Sequence, residues 1–329
     1  MATRAATNRL PDPTGPIRIG ISSCLLGEEV RFDGGHKEDR FISRTLNAYF
    51  EYVPVCPELE VGMGVPRESL RLVGDPASPR LLTVRTKIDH THSMLKFAAS
   101  RVRELAAENL DGYIFKKDSP SCGMERVRVY GAESGMAVRQ GVGMFARAFM
   151  ERFPLVPAEE EGRLSDPVLR ENFIERVFCH WRWRHLLADG LTRGRLVAFH
   201  TAHKLVLLAH SPAHYAEMGR LVAGAKALRP SELATRYGEL LAAGLQVKAT
   251  SRKHTNVLQH IAGYFKEHLS PDEKAELQSV IADYRQGLVP LIVPITLVKH
   301  HVRKFDVSYL SDQVYLNPHP KELMLRNHV

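Results

Sequence analysis

No stretch of this chain stays apolar long enough to cross a bilayer. The longest run, around Val289 to Val298, is broken by Pro290 and Pro294, which argues against a membrane-spanning helix. The first sixteen residues, rich in Thr, Ala, Arg and Pro, lack the apolar core of a secretory signal and read as a loose tail. Cysteine is scarce: four in 329 residues, with no spaced framework, argue against structural disulfides and for a reducing, cytoplasmic setting. No C-x-x-C pair occurs, so the paired ligands common in structural zinc sites are missing. Neither a full P-loop nor a full dinucleotide fingerprint is present, and no internal repeat is evident. Dense Lys/Arg blocks are absent too. Even so, 45 basic against 37 acidic residues leave a formal net charge of +8, which suits anionic partners such as nucleotides, RNA or acidic metabolites.

The residues that are present alternate between two periods. Ile17 to Ile21 is a β-branched run that reads as a first buried strand, and Tyr52 to Val55 as a second, with Pro54 awkward for a central strand because it supplies no ladder donor. Between them Phe41, Ile42, Leu46 and Tyr49 recur at helical spacing. Residues 70–86 predict a hairpin or irregular excursion, and 91–109 a helix with Met94, Phe97, Ala98, Val102 and Leu105 on one face. Then come a strand at Tyr113 to Phe115, a hairpin from Val127 to Val138, a helix over 142–152 and a last strand near Leu155 to Pro157. This alternation predicts an α/β domain over 17–164, an open, mainly parallel sheet flanked by helices. After Glu159-Glu160-Glu161-Gly162 the pattern turns helical. Asp166 reads as the cap of a long helix to Ala188, and helices near 192–210, 212–226, 230–244, 251–268, 271–286 and 291–304 predict an all-α domain over 165–329.

Three cysteines stand where predicted strands run out: Ser22-Ser23-Cys24-Leu25-Leu26-Gly27, Val55-Cys56-Pro57-Glu58 and Ser119-Pro120-Ser121-Cys122-Gly123. Loops at the carboxyl ends of parallel strands share one crevice, so these thiols can converge although they are far apart in sequence. Three thiolates can hold a cubic iron-sulfur cluster by three irons and leave the fourth open to a ligand. Zinc with an unseen fourth ligand, or three thiols serving as small buried hydrophobes, are the competing readings. Glu58 lies two residues past Cys56, suited to orient water or pass a proton. Ser119 and Ser121 offer hydroxyls beside Cys122, and Ser23, Asp33, Ser121 and Gly123 are candidates for contacts to substrate or around the cluster.

Other features read as structure first. Cys179, inside a predicted helix, is core filler. His200 with His203, His210 with His214, and His300-His301 belong to helix surface or interdomain packing before anion, RNA or metal contact. The stretch His180-Trp181-Arg182-Trp183-Arg184-His185 reads either as a base-stacking strip or as a domain seam. Gly141-Val142-Gly143, just before a helix, offers amides that can receive an anion.

Taken together, the three cysteine blocks resemble the thiouracil desulfidase family, and Arg31-Phe32-Asp33-Gly34 resembles its following block with Phe in place of Tyr. The resemblance covers residues 17–160. The rest is similar to a helical domain often fused to that family, through Leu196 to Thr201, Asn256 to His260 and Pro290 to Pro294. The resemblance implies a 4Fe-4S cluster held by Cys24, Cys56 and Cys122, with one open iron that takes the sulfur of a thiolated uracil base, nucleoside or nucleotide. Glu58, matching the family's catalytic Glu, would activate water. Ser119, matching its catalytic Ser, would bind or protonate substrate, and C=S would become C=O with release of sulfide and no net electron transfer. A different class stays open: an iron-sulfur sensor or RNA-binding protein whose basic helical domain is the contact surface.

Overall fold

The β-branched run at the head of the chain forms β1 (Ile17–Ser22) in the computed structural model of the protein, which describes residues 15–329. The predicted tail over 1–16 therefore lies outside the described residues except for its last two. After β1 the chain moves to β2 (Phe50–Val55) on one side, then forms a small mixed sheet from β3 (Leu70–Val73), β4 (Arg80–Thr83), β6 (Val127–Tyr130) and β7 (Ala137–Gly141), in the order β4-β3-β6-β7. Within that passage it returns to place β5 (Gly112–Phe115) on the other side of β1, and β8 (Ala158–Glu160) follows as the outer neighbour. The order β2-β1-β5-β8 is parallel throughout, with Ile19 opposite both Tyr52 and Gly112 and Tyr113 opposite Ala158. Pro54 fits because β2 is an edge strand, where a missing N–H costs no ladder bond.

The one-turn α1 (Pro57–Glu60) follows β2, and α2 (Thr91–Leu105) and α3 (Met144–Arg152) complete the α/β unit. Ala98, Val102 and Leu105 of α2 and Phe145 and Phe149 of α3 pack with Val55, Tyr113 and Phe115 in a single core, as the 3.6-residue period requires. Two elements differ from the sequence pattern. Residues 36–50 form no helix before β2 but only a π turn (Phe41–Thr45) and a 3-10 turn (Leu46–Ala48), where just Ile42 and Leu46 are buried and the Tyr52 hydroxyl donates to the Ile42 carbonyl at 2.9 Å. The last strand lies three residues later than Leu155 to Pro157. The Pro157 carbonyl accepts from the Tyr113 amide, and that register draws Glu159 and Glu160 into the sheet edge.

The second unit, Pro167–Val329, is all-helical: α4 (Pro167–Ala188), α5 (Arg193–His210), α6 (Pro212–Ala223), α7 (Pro230–Gln246), α8 (Ser251–Gly263), α9 (Pro271–Arg285), α10 (Ile292–Lys304) and the short α11 (Ser308–Ser311). Thr192, Ser211, Thr250 and Ser270 each accept from the amide three residues on, which fixes four of the helix starts. No helix among the described residues is long and apolar enough to cross a membrane.

Candidate functional site

Three neighbouring parallel strands end at one edge, and the loops beyond β1 and β5 flank the point where the strand order reverses. β1 runs into a 3-10 turn (Ser23–Leu26) that buries Ser23, Cys24 and Leu25 and closes on Gly27 at φ 96°. β2 delivers Cys56 as the residue capping α1, with Pro57 at the first helical position. β5 leads into the Ser119–Gly123 loop. Cys24, Cys56 and Cys122 are unpaired and line one cavity of about 340 Å³ with Glu58, Ser119 and Ser121. Ser23 lines it as well, whereas Asp33 and Gly123 are not among its lining residues. The Asp33 carboxylate is held low by the Gly35 amide and then by Arg31, and it is half-exposed outside the cavity. Gly123 serves packing, since a Cβ there would meet the Ser119 carbonyl at 2.8 Å.

Burial dominates the chemistry of the thiols. It pushes Cys24 up to about 11 against the opposing charges of Lys116 and Arg31, with Cys56 adding to the rise. Cys56 and Cys122 are raised by burial too, and Cys122 feels both other thiols. Without a cation these groups are neutral; with one they are soft sulfur donors. Among the described residues, no three His, Cys, Asp or Glu side chains are placed to hold a single metal ion.

Glu58, on α1, lies against the cysteine loop. Arg67 donates to its Oε2 twice, from Nε at 2.9 Å and Nη2 at 2.6 Å, and Ser121 donates its hydroxyl to Oε1 at 2.6 Å. Ser119 Oγ sits 3.1 Å from Ser121 Oγ and accepts from the Cys122 amide at 3.1 Å. Since the one Ser121 proton is committed to Glu58, Ser119 is the donor between the two hydroxyls.

Several residues that build the site carry no sequence signal. Glu161 accepts from the Lys117 amide at 2.7 Å and pairs with Lys116 Nζ at 2.5 Å, while Glu160 accepts from the Met124 amide at 2.8 Å. The two carboxylates thus grip the cysteine loop at its opposite ends. Gly141-Val142-Gly143 is not an anion cradle, because the first amides of α3 already bind that loop: Gly143 to the Gly123 carbonyl, Met144 to Pro120 and Phe145 to Ser121. A Cβ on Gly143 would stand 2.6 Å from the Ser121 carbonyl, so only glycine allows the contact.

In the helical unit the pairs divide: His200, His203, His210 and His301 are core, His214 is half-buried, and His300 stays on the surface as expected. His200, His203 and His210 are buried, and His210 Nε2 lies 3.0 Å from Glu175 Oε2. Trp181 and Trp183 are buried as well, with Trp183 packed on Phe199 and Tyr237, which removes the base-stacking reading of that strip. Cys179 is fully buried in the same core.

Residues 19–161 match the family described as 2-thiouracil desulfurase, and residues 204–320 match a protein family of unknown function, DUF1722. The chain is 35% identical over 153 residues, 46% of its length, to the uncharacterized protein YbgA of Escherichia coli (strain K12), 90% of which is covered. It belongs to the 2-thiouracil desulfurase family. A desulfurase-family domain thus leads the chain, and a DUF1722 domain follows it. The uncharacterized protein YbbK of Bacillus subtilis (strain 168) is 31% identical over 110 residues, 32% of this chain and 72% of that one. Among solved structures, a [4Fe-4S]-dependent thiouracil desulfidase, TudS, is 26% identical with a TM-score of 0.38, covering 45% of this chain and 93% of that one.

Proposed function

We propose that the N-terminal domain is a desulfidase that exchanges the sulfur of a thiolated uracil compound for oxygen from water, releasing sulfide, on a 4Fe-4S cluster held by Cys24, Cys56 and Cys122. The observation that carries this reading is the meeting of three desolvated thiols with a serine-bound carboxylate in one cavity of a desulfurase-family domain. The donor set suits such a group: buried thiols that stay neutral alone become thiolates when metal supplies the charge, and cluster irons prefer sulfur. When bound, the cluster would supply a Lewis-acidic, sulfur-seeking iron that polarises C=S toward attack at carbon.

The chain's own residues supply the rest. The Glu58 carboxylate has three of its roughly four lone-pair sites filled, two on Oε2 and one on Oε1, and the remaining site on Oε1 is the base that accepts a proton from the attacking water. Ser119, joined to Glu58 through Ser121, holds its hydroxyl at the cavity wall to bind substrate or return that proton. Water contributes oxygen and two protons, sulfide leaves, and no electron is exchanged. Protein prepared without oxygen is expected to contain about four irons and acid-labile sulfide per chain and to release sulfide from 2-thiouracil or 4-thiouracil. Cys→Ala at 24, 56 or 122 should abolish release. One zinc with no labile sulfide would sink the reading. Salt-sensitive RNA binding without turnover would favour a binding protein that uses the charge of the helical domain.

A further inference from the structure

Glu58 is held by more than its place on α1, and its second partner lies outside every cysteine block. The Arg67 guanidinium approaches Oε2 with two N–H groups, and its remaining nitrogen, Nη1, donates to the Gly64 carbonyl at 3.0 Å. Its main-chain amide donates to the Phe32 carbonyl at 2.8 Å. Both side chains are withdrawn from solvent, with Arg67 6% and Glu58 15% exposed, so the pair is a two-point charge-assisted contact in a low-dielectric setting. A carboxylate pinned at one oxygen by two donors cannot rotate about its terminal bond, and Ser121 fixes the face of the other oxygen.

We propose that Arg67 is the positioning residue of the site: by saturating Oε2 it leaves Oε1 as the single basic oxygen and aims it into the cavity. This rests on the reading of Glu58 as the water-activating base. Lysine cannot replace it, because a point ammonium does not span two bonds to one oxygen while also reaching Gly64.

The test uses the full chain loaded with its cluster, turning over 2-thiouracil or 4-thiouracil. Arg67→Gln is expected to lower kcat about a hundredfold, the scale of an ångström-level misplacement, with KM within about threefold, and with iron content and visible absorption unchanged. Arg67→Lys should recover only part of the loss, and free guanidinium should raise the kcat of Arg67→Ala. In a Glu58→Gln background the Arg67→Gln change should add less than about twofold, because its route of action is gone. An unchanged kcat in Arg67→Gln, a full further loss in the Glu58→Gln background, or loss of iron from Arg67→Lys would overturn the proposal. A fully active Glu58→Gln enzyme would overturn the reading beneath it, and the proposal with it.

Discussion

Four histidines buried without charge make the helical domain acid-labile. His203 donates Nδ1 to the Phe199 carbonyl at 2.8 Å and stacks on the Phe199 ring, leaving a buried Nε2 that finds no partner among the described residues; the same holds for the buried Nε2 of His319. His254 and His200 each meet a buried tyrosine hydroxyl, Tyr315 at 2.9 Å and Tyr237 at 3.2 Å. Burial first, and neighbouring cations second, carry His203 and His254 down to about 3 and His200 and His319 to about 4. In the unfolded chain each titrates near 6.5. Between these values the unfolded state binds the extra protons, so stability falls as pH drops from about 6.5 toward about 3 and is unaffected above that window. At pH 5 each histidine costs about 2 kcal/mol, and four acting independently about 8, comparable to the 5 to 15 kcal/mol that a whole domain commonly has. Denaturant unfolding of the full chain, followed by far-ultraviolet circular dichroism from pH 7.5 to 5, should show the helical signal lost at progressively lower urea. His254→Gln should reduce the slope by about 1.4 kcal/mol per pH unit, one proton's worth. A helical-domain stability that is flat from pH 7 to 5 would refute the reasoning.

Other expectations follow from named contacts. Arg326 bonds Glu171 at 2.8 Å and lies 3.5 Å from Glu175, all three buried, so Arg326→Met should destabilise the helical unit by about 3 to 5 kcal/mol by stranding charge; denaturant midpoints measure this. Burial alone would raise Glu175, but the His210 hydrogen bond and the charges of His210 and Arg326 bring it down to about 2. Its contribution is therefore present above about pH 4.5 and lost as pH falls toward 2, overlapping only the foot of the histidine window, so Glu175→Gln should flatten only the lower part of the stability profile. Gly143→Ala drives a methyl into the Ser121 backbone and should lower iron occupancy after reconstitution, with α2 and the parallel sheet retained by circular dichroism. Glu161→Gln frees Lys116 and weakens the hold on the Lys117 amide. Cluster loss on mild oxidation should be several-fold faster than in the unaltered protein, and equal rates would show that the grip on the loop is not needed.

Local patterns carried much of this molecule. The helix starts near 192, 212, 251 and 271 were legible from local spacing and Gly/Pro punctuation, and in the structure Thr192, Ser211, Thr250 and Ser270 each fix one through an amide three residues away. The cysteines were legible as strand-end residues, because a β-branched run followed by Ser, Gly or Pro is a short-range signal. Other parts depended on register. In sequence the Glu159 to Glu161 run only marks where the pattern turns helical, yet parallel pairing of β5 with β8 buries it, and its amide partners Met124 and Lys117 lie 36 and 44 residues away. Histidines at helical spacing look like surface until neighbouring helices close over them, since burial is a property of the assembled core. Arg67 has no motif at all: the turn after α1 carries it back to Glu58. Residue type and spacing thus settled which chemistry was on hand, while strand pairing and packing decided which side chains lost their water and met, because desolvation and long-range contact exist only in the folded chain.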